Sequence, residues 1–235
     1  MTPEQHLMWF RTEADAFARV LEAGDLDAPV PACPGWTLTD LTAHLGGVHR
    51  WADAILTVAG PGTYPAPDGR EAIVSWFAEG ADALHATLAN LDPSAPCWTF
   101  AEPKAVEFWM RRQAHETSVH RWDAEASQGS PGPIDAALAA DGVHEVVEMF
   151  FPRQVKLERI SPLQRSLRLI PDEGAPCTLA GDGTGSEGAP DAEIAGPAEA
   201  LLLLLWGRTL VDDPRLRLTG SRAAAEEVLA AAITP

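Results

Sequence analysis

The sequence predicts an α+β chain in two parts, a four-helix bundle followed by a smaller α+β domain with a mostly antiparallel sheet, on three observations. Apolar residues recur at helical spacing in four long segments before residue 128. A Gly-Ser-Pro-Gly-Pro run at 129–133 then breaks the chain. Beyond it, short alternating runs bounded by Gly, Pro or Asp replace most of the helical spacing. The boundary is accordingly set at 130, with a bundle over 1–130 and the α+β domain over 131–235.

Thr2-Pro3-Glu4 opens the first helix with a capping residue, a proline where no backbone donor is needed, and an acid in the first turn. Leu7, Phe10, Ala14, Phe17 and Leu21 form its stripe. VPACPGW is a fixed connection, and Thr37 with Asp40 resembles a capping box that starts a second helix running to Val58. The stripe chosen for that helix is Leu41, His44, Val48, Trp51 and Ile55, which buries His44 and sends His49, roughly 140° away, to the surface. The breaker-rich stretch Gly60 to Gly69 is a loop. Helix three spans Glu71 to Leu91, with Val74, Phe77, Ala81, Leu84 and Leu88 inside and His85 solvated beside them. A proline-rich connection, Asp92 to Pro103, leads to helix four, FWMRRQAHETSVHRWDAE, from Phe108 to Glu125. Four amphipathic helices in about 128 residues, with a longer connection in the middle, read as a four-helix bundle.

In the second part, a helix from Asp135 to Phe151 precedes strands at Ser166–Ile170, Cys177–Ala180 and Ala192–Ile194. Pro197 to Gly207 is an apolar helix, Leu216 to Leu218 a strand, and Ser221 to Ile233 a final helix capped by Ser221. The glycine-rich segment Gly181 to Gly188 has no lysine, carries two acids and does not follow the strand-to-helix order of a phosphate loop, so it is a surface turn.

Composition narrows the function. Seventeen basic against 34 acidic residues give a net charge of −17, which makes nucleic acid and anionic membranes poor partners. No leader-like start and no apolar run long enough to span a bilayer point to a cytoplasmic protein. Three cysteines without a CxxC pair argue against disulfides and against a cysteine-built metal site.

Helix four concentrates the chemistry. At about 100° per residue, Glu116, His120 and Asp123 fall within roughly 60° of one another, with Trp109 in the same sector. His115-Glu116-Thr-Ser-Val-His120 has one residue too many for the zinc-protease pattern, and His115 stands about 140° from His120, so the two cannot face one ion. Glu116 and His120 at i and i+4 can share an ion, with a third ligand from a facing helix, for which buried His44 is the candidate. Two histidines and a glutamate would make an open, catalytic-type zinc site, and nickel or iron(II) would accept the same ligands. The alternatives are a surface i, i+4 pair for Glu116 and His120, and a hydrogen-bonded core residue for His44. Asp123 could orient a ligand imidazole, hold a substrate group, or pair with Arg112, Arg121 or another arginine. Arg208 either caps the apolar helix before it or reaches towards a substrate carboxylate.

VPACPGWTLTDLTAHLGGVHRW, EFWMRRQAHETSVHRWDAE and ALLLLLWGR together resemble the mycothiol-dependent maleylpyruvate isomerase family over nearly the whole chain. The resemblance implies a DinB-like four-helix bundle and a C-terminal domain similar to sterol carrier proteins. It implies metal ligands at His44 (of AHL), Glu116 and His120 (of HExxxH), with Asp123 and Arg208 in thiol binding or catalysis. It further implies that a divalent metal, foremost zinc, activates the thiol of mycothiol as a thiolate against a small electrophile. That could be cis-trans isomerisation of maleylpyruvate or transfer of the thiol to an electrophile as a mycothiol S-transferase. A non-catalytic, metal-stabilised ligand-binding protein is the remaining alternative.

Overall fold

The structure, a computed structural model, describes residues 1–57, 60, 62–184 and 188–235. The chain divides into two compact units, Met1–Ile134 and Asp135–Pro235.

Among the described residues, the first unit holds four helices, α1 (Pro3–Ala23), α2 (Leu38–Leu56), α3 (Arg70–Asn90) and α4 (Val106–Ser127). Reciprocal capping boxes start α1 at Thr2/Gln5 and α2 at Thr37/Asp40, each side chain satisfying the other residue's backbone N–H. The sequence expectation that α2 runs to Val58 falls outside the described residues. Phe10, Phe17, Leu21, Leu38, Leu41, Leu45, Phe77, Leu84 and Leu88 form the core.

The stripe expected on α2 is displaced. Leu38, Leu41, Leu45, His49 and Ala52 are buried, while His44, Val48, Trp51 and Ile55 are only half-buried. His49, assigned to the surface from the sequence, is wholly enclosed, and His44, assigned to the core, is part-exposed. The sequence offers apolar residues on both sides of this helix, and Gly46 decides which faces inward. A Cβ there would stand 2.2 Å from the Trp76 ring, so only glycine lets α2 and α3 approach this closely. Arg50, lying 4.0 Å over the Trp76 ring and donating to its carbonyl, closes the same contact. His85 is likewise less solvated than expected: it stacks on Phe10, with ring centroids 6.4 Å apart.

Two buried charges tie α1 and α4 together. Arg121 Nε donates to Glu13 Oε2 at 2.6 Å, and its guanidinium also reaches Glu125 and the carbonyls of Gly132 and Pro133. The breaker stretch after α4 is thereby fixed onto the bundle.

In the second unit, α5 (Ala136–Glu145), a π turn (Val146–Phe150) and α6 (Phe151–Lys156) form one continuous helical stretch. It passes Phe151, where the sequence suggested an end, because the wide turn precedes Pro152, the residue that removes a backbone donor. Strands β1 (Leu163–Pro171), β2 (Cys177–Gly181), β3 (Ala192–Gly196) and β4 (Arg217–Gly220) lie in the order β2-β1-β3-β4. The β1–β2 and β3–β4 pairs are antiparallel and β1–β3 is parallel. Leu167, Leu169, Leu179 and Ile194 supply the buried face, against which α8 (Arg222–Ala230) packs; α7 (Ala198–Leu205), apolar and buried almost throughout, packs chiefly on α5. Of the Gly181–Gly188 segment, residues 185–187 lie outside the described residues. Among the described residues, no helix is long and apolar enough to cross a membrane.

Candidate metal centre

Glu116 and His120 stand one turn apart on α4, and α2 brings His44 opposite them. Glu116 Oε1 is 3.3 Å from His44 Nε2 and 3.4 Å from His120 Nε2. The two imidazole rings meet edge to face at 5.1 Å between centroids. One ligand atom from each of the three residues lies within 4.8 Å of the others. Two donors each about 2.1 Å from a tetrahedral ion stand about 3.4 Å apart, so the carboxylate–imidazole spacings suit a divalent cation.

The outer atoms of the trio are engaged. Asp123 Oδ2 lies 2.9 Å from His120 Nδ1, and Arg112 Nη2 donates to Glu116 Oε2 at 2.7 Å. With Nδ1 of His120 carrying the proton towards Asp123, the Nε2 lone pair points at the trio. Trp36, from the VPACPGW connection, packs on the His44 ring with centroids 5.2 Å apart. Side-chain exposure falls from 37% at His44 through 19% at Glu116 and 13% at His120 to 0% at Asp123, so the group opens at its α2 side. This is no surface ion pair.

Without an ion the charges are strongly coupled. Burial pushes the Glu116 carboxyl up, but hydrogen bonds from His120 and His44 and the Arg112 charge outweigh it and hold the group well below the usual carboxylate range. Burial alone would lower the His120 pKa, yet Asp123 and Glu116 raise it to about 9. The arrangement stabilises positive charge at the place where a cation would sit.

The structure brings together His44, Glu116, His120 and Asp123. It puts Arg208 in the second unit, where its backbone N–H donates to Leu203 O at 2.7 Å and its guanidinium to Trp206 O at 2.6 Å. Trp109, in the same helical sector, is fully buried and packs on Trp51 at 5.2 Å. His115 lies on the α1 side of α4, its ring 5.9 Å from that of His6. Sequence reasoning missed two polar residues near the trio. Arg112 was weighed only as a partner for Asp123, although its position four residues before Glu116 was the available signal. His49 donates to or accepts from Thr117 Oγ1 at 3.0 Å between Phe10 and Phe77, and burial lowers its pKa to about 3, so it is neutral. Nothing in periodicity alone marked it.

A helical bundle that converges two imidazoles and a carboxylate from two helices, carried with an α+β unit in one chain, defines a two-domain protein with a metal-type donor set. The family model described as “Mycothiol maleylpyruvate isomerase N-terminal domain” matches residues 7–125, and the “MDMPI C-terminal domain” matches residues 137–227. The chain belongs to the mycothiol maleylpyruvate isomerase family. Its fold is similar to the crystal structure of the mycothiol-dependent maleylpyruvate isomerase, with a TM-score of 0.65, 13% identity and 93% of each chain covered. A mutant of that enzyme with one histidine replaced by alanine aligns with a TM-score of 0.58, 13% identity, and 87% of this chain and 88% of the other covered. No curated protein matches the sequence.

Proposed function

We propose that this chain is a divalent-metal-dependent enzyme that uses mycothiol to isomerise maleylpyruvate or a close electrophilic analogue. The observation that carries the reading is the convergence of His44 Nε2, His120 Nε2 and Glu116 Oε1 on one point, with family membership behind it. Three protein donors leave a coordination position for a substrate atom, which distinguishes catalytic from structural zinc sites. A divalent ion held there would supply the positive charge that keeps a thiol sulfur ionised at neutral pH.

The chain's own residues do the rest. Asp123 holds His120 in the tautomer that presents Nε2, and the partial exposure of His44 gives the thiol its approach. The sulfur adds to one alkene carbon of the cis substrate, forming a C–S bond while the π pair moves into the conjugated carbonyl as an enolate. Rotation about the resulting single bond, followed by collapse of the enolate and departure of the sulfur, leaves the trans alkene and returns the thiol unconsumed.

The test is metal analysis of the purified protein and of His44→Ala, followed by incubation with mycothiol and maleylpyruvate. About one divalent ion per chain, lost in the variant, and isomerisation without thiol consumption are expected. No metal in the wild-type protein and none taken up from added zinc would remove the reading. A stable thiol adduct in place of an isomer would replace it with an S-transferase.

A further inference from the structure

We propose that Arg112 is a positioning residue that restricts Glu116 to one donor oxygen and so keeps a coordination position open for the thiol. The inference rests on the metal-centre reading. Arg112 stands one turn before Glu116 on α4, with its side chain only 5% exposed, and its Nη2 holds Oε2 at 2.7 Å. The other oxygen, Oε1, faces both histidines. The two oxygens of one carboxylate are thus divided between a guanidinium and the donor cluster.

That division has two chemical consequences. A carboxylate free to swing can bind an ion through both oxygens, and the second would occupy the position a thiol needs. Held by a planar donor, it presents one. The guanidinium charge also offsets that of the carboxylate, so a divalent ion bound by two neutral imidazoles and this pair retains its full positive charge. Burial of the arginine supports a role beyond helix stability. An i, i+4 pair at the surface is weak and needs no desolvation, whereas enclosing a guanidinium is costly unless fixed partners compensate it.

The test uses the full-length protein loaded with Co²⁺, whose visible absorption responds to the identity and number of its ligands. Wild type, Arg112→Met and Arg112→Lys are compared for that spectrum, for Co²⁺ affinity by chelator competition, and for the sulfur-to-cobalt band on adding N-acetylcysteine. Arg112→Met is expected to show a visible spectrum changed from that of the wild type, because the second carboxylate oxygen replaces the exchangeable ligand, with affinity altered roughly 10–100-fold and loss of the sulfur band. Arg112→Lys, which keeps the charge but not the planar fork, should recover part of the sulfur band. Circular dichroism checks the fold; if Arg112→Met does not fold, the lysine variant carries the test by its spectrum. Folded variants with the wild-type spectrum, affinity and sulfur band would overturn the role of Arg112 alone. A wild-type protein that takes up no Co²⁺ would instead overturn the metal centre on which it rests.

Discussion

His120 carries its two ring nitrogens in opposite directions, Nδ1 to Asp123 and Nε2 to the donor cluster, and that asymmetry was partly legible in the sequence. The i, i+4 spacing of Glu116 and His120 and the further turn to Asp123 follow from helical geometry alone. Asp123→Asn is expected to lower metal affinity roughly 10–100-fold while leaving one ion bindable, by isothermal titration with zinc; unchanged affinity would contradict its orienting role. Acid–base behaviour follows from the carboxylates beside His120 and from the burial of His49, and that burial the sequence did not reveal. The folded pKa of His120, about 9, lies above its ordinary 6.5, so its stabilisation of the metal-free bundle is complete below pH 6.5 and is lost as pH climbs through 9. His49 runs the other way: with a folded pKa of about 3, it destabilises the fold as pH falls from 6.5 towards 3, where the unfolded chain takes up its proton first. Metal-free protein should be most thermostable near neutral pH and lose stability towards pH 9. Zinc-loaded protein should not, because the ion takes the place of the His120 proton. Thermal melts in chelator and in zinc across pH 5–9 check both; a metal-free melting temperature that rises from pH 6.5 to 9 would refute the assignment.

At the level of the element, α2 shows where pattern reading fails. Capping at Thr37 and Asp40 was readable because it depends on neighbours three residues apart, but the inward face depends on what α3 offers. His44, Val48, Trp51 and Ile55 share one side of the helix, Leu38, Leu45, His49 and Ala52 lie on another, and Leu41, at the border between them, is buried. Contact between Gly46 and Trp76 selected the second. Gly46→Ala should therefore destabilise the bundle by about 1–3 kcal/mol, as overpacking does, measured by urea denaturation. A neutral result would mean that the Trp76 ring moves aside freely. On α4, Arg121 neutralises buried Glu13, whose side chain is 6% exposed. Arg121→Met should cost about 3–5 kcal/mol, because it leaves that carboxylate enclosed without its cation. A shift below 1 kcal/mol in the same assay would show that Glu13 finds water instead.

For the whole molecule, element order was legible because each helix and strand has local punctuation: Thr2-Pro3, Thr37, Gly129–Pro133, Ser221. The sheet order β2-β1-β3-β4 was not, since pairing partners are set by contacts across long stretches of chain. Nor was the passage of the helix through Pro152, which needs the π turn before it. His44 and Glu116, 72 residues apart in sequence, meet at one point of the bundle, where α2 packs less extensively on α4 than on α3. An ion joining them would act as a removable cross-link that holds only the folded chain, stabilising it by the free energy of its binding and by more as its free concentration rises above Kd. Metal supply would then govern how long the chain survives a protease, and resistance to cleavage between residues 44 and 116 would report occupancy without any assay of catalysis.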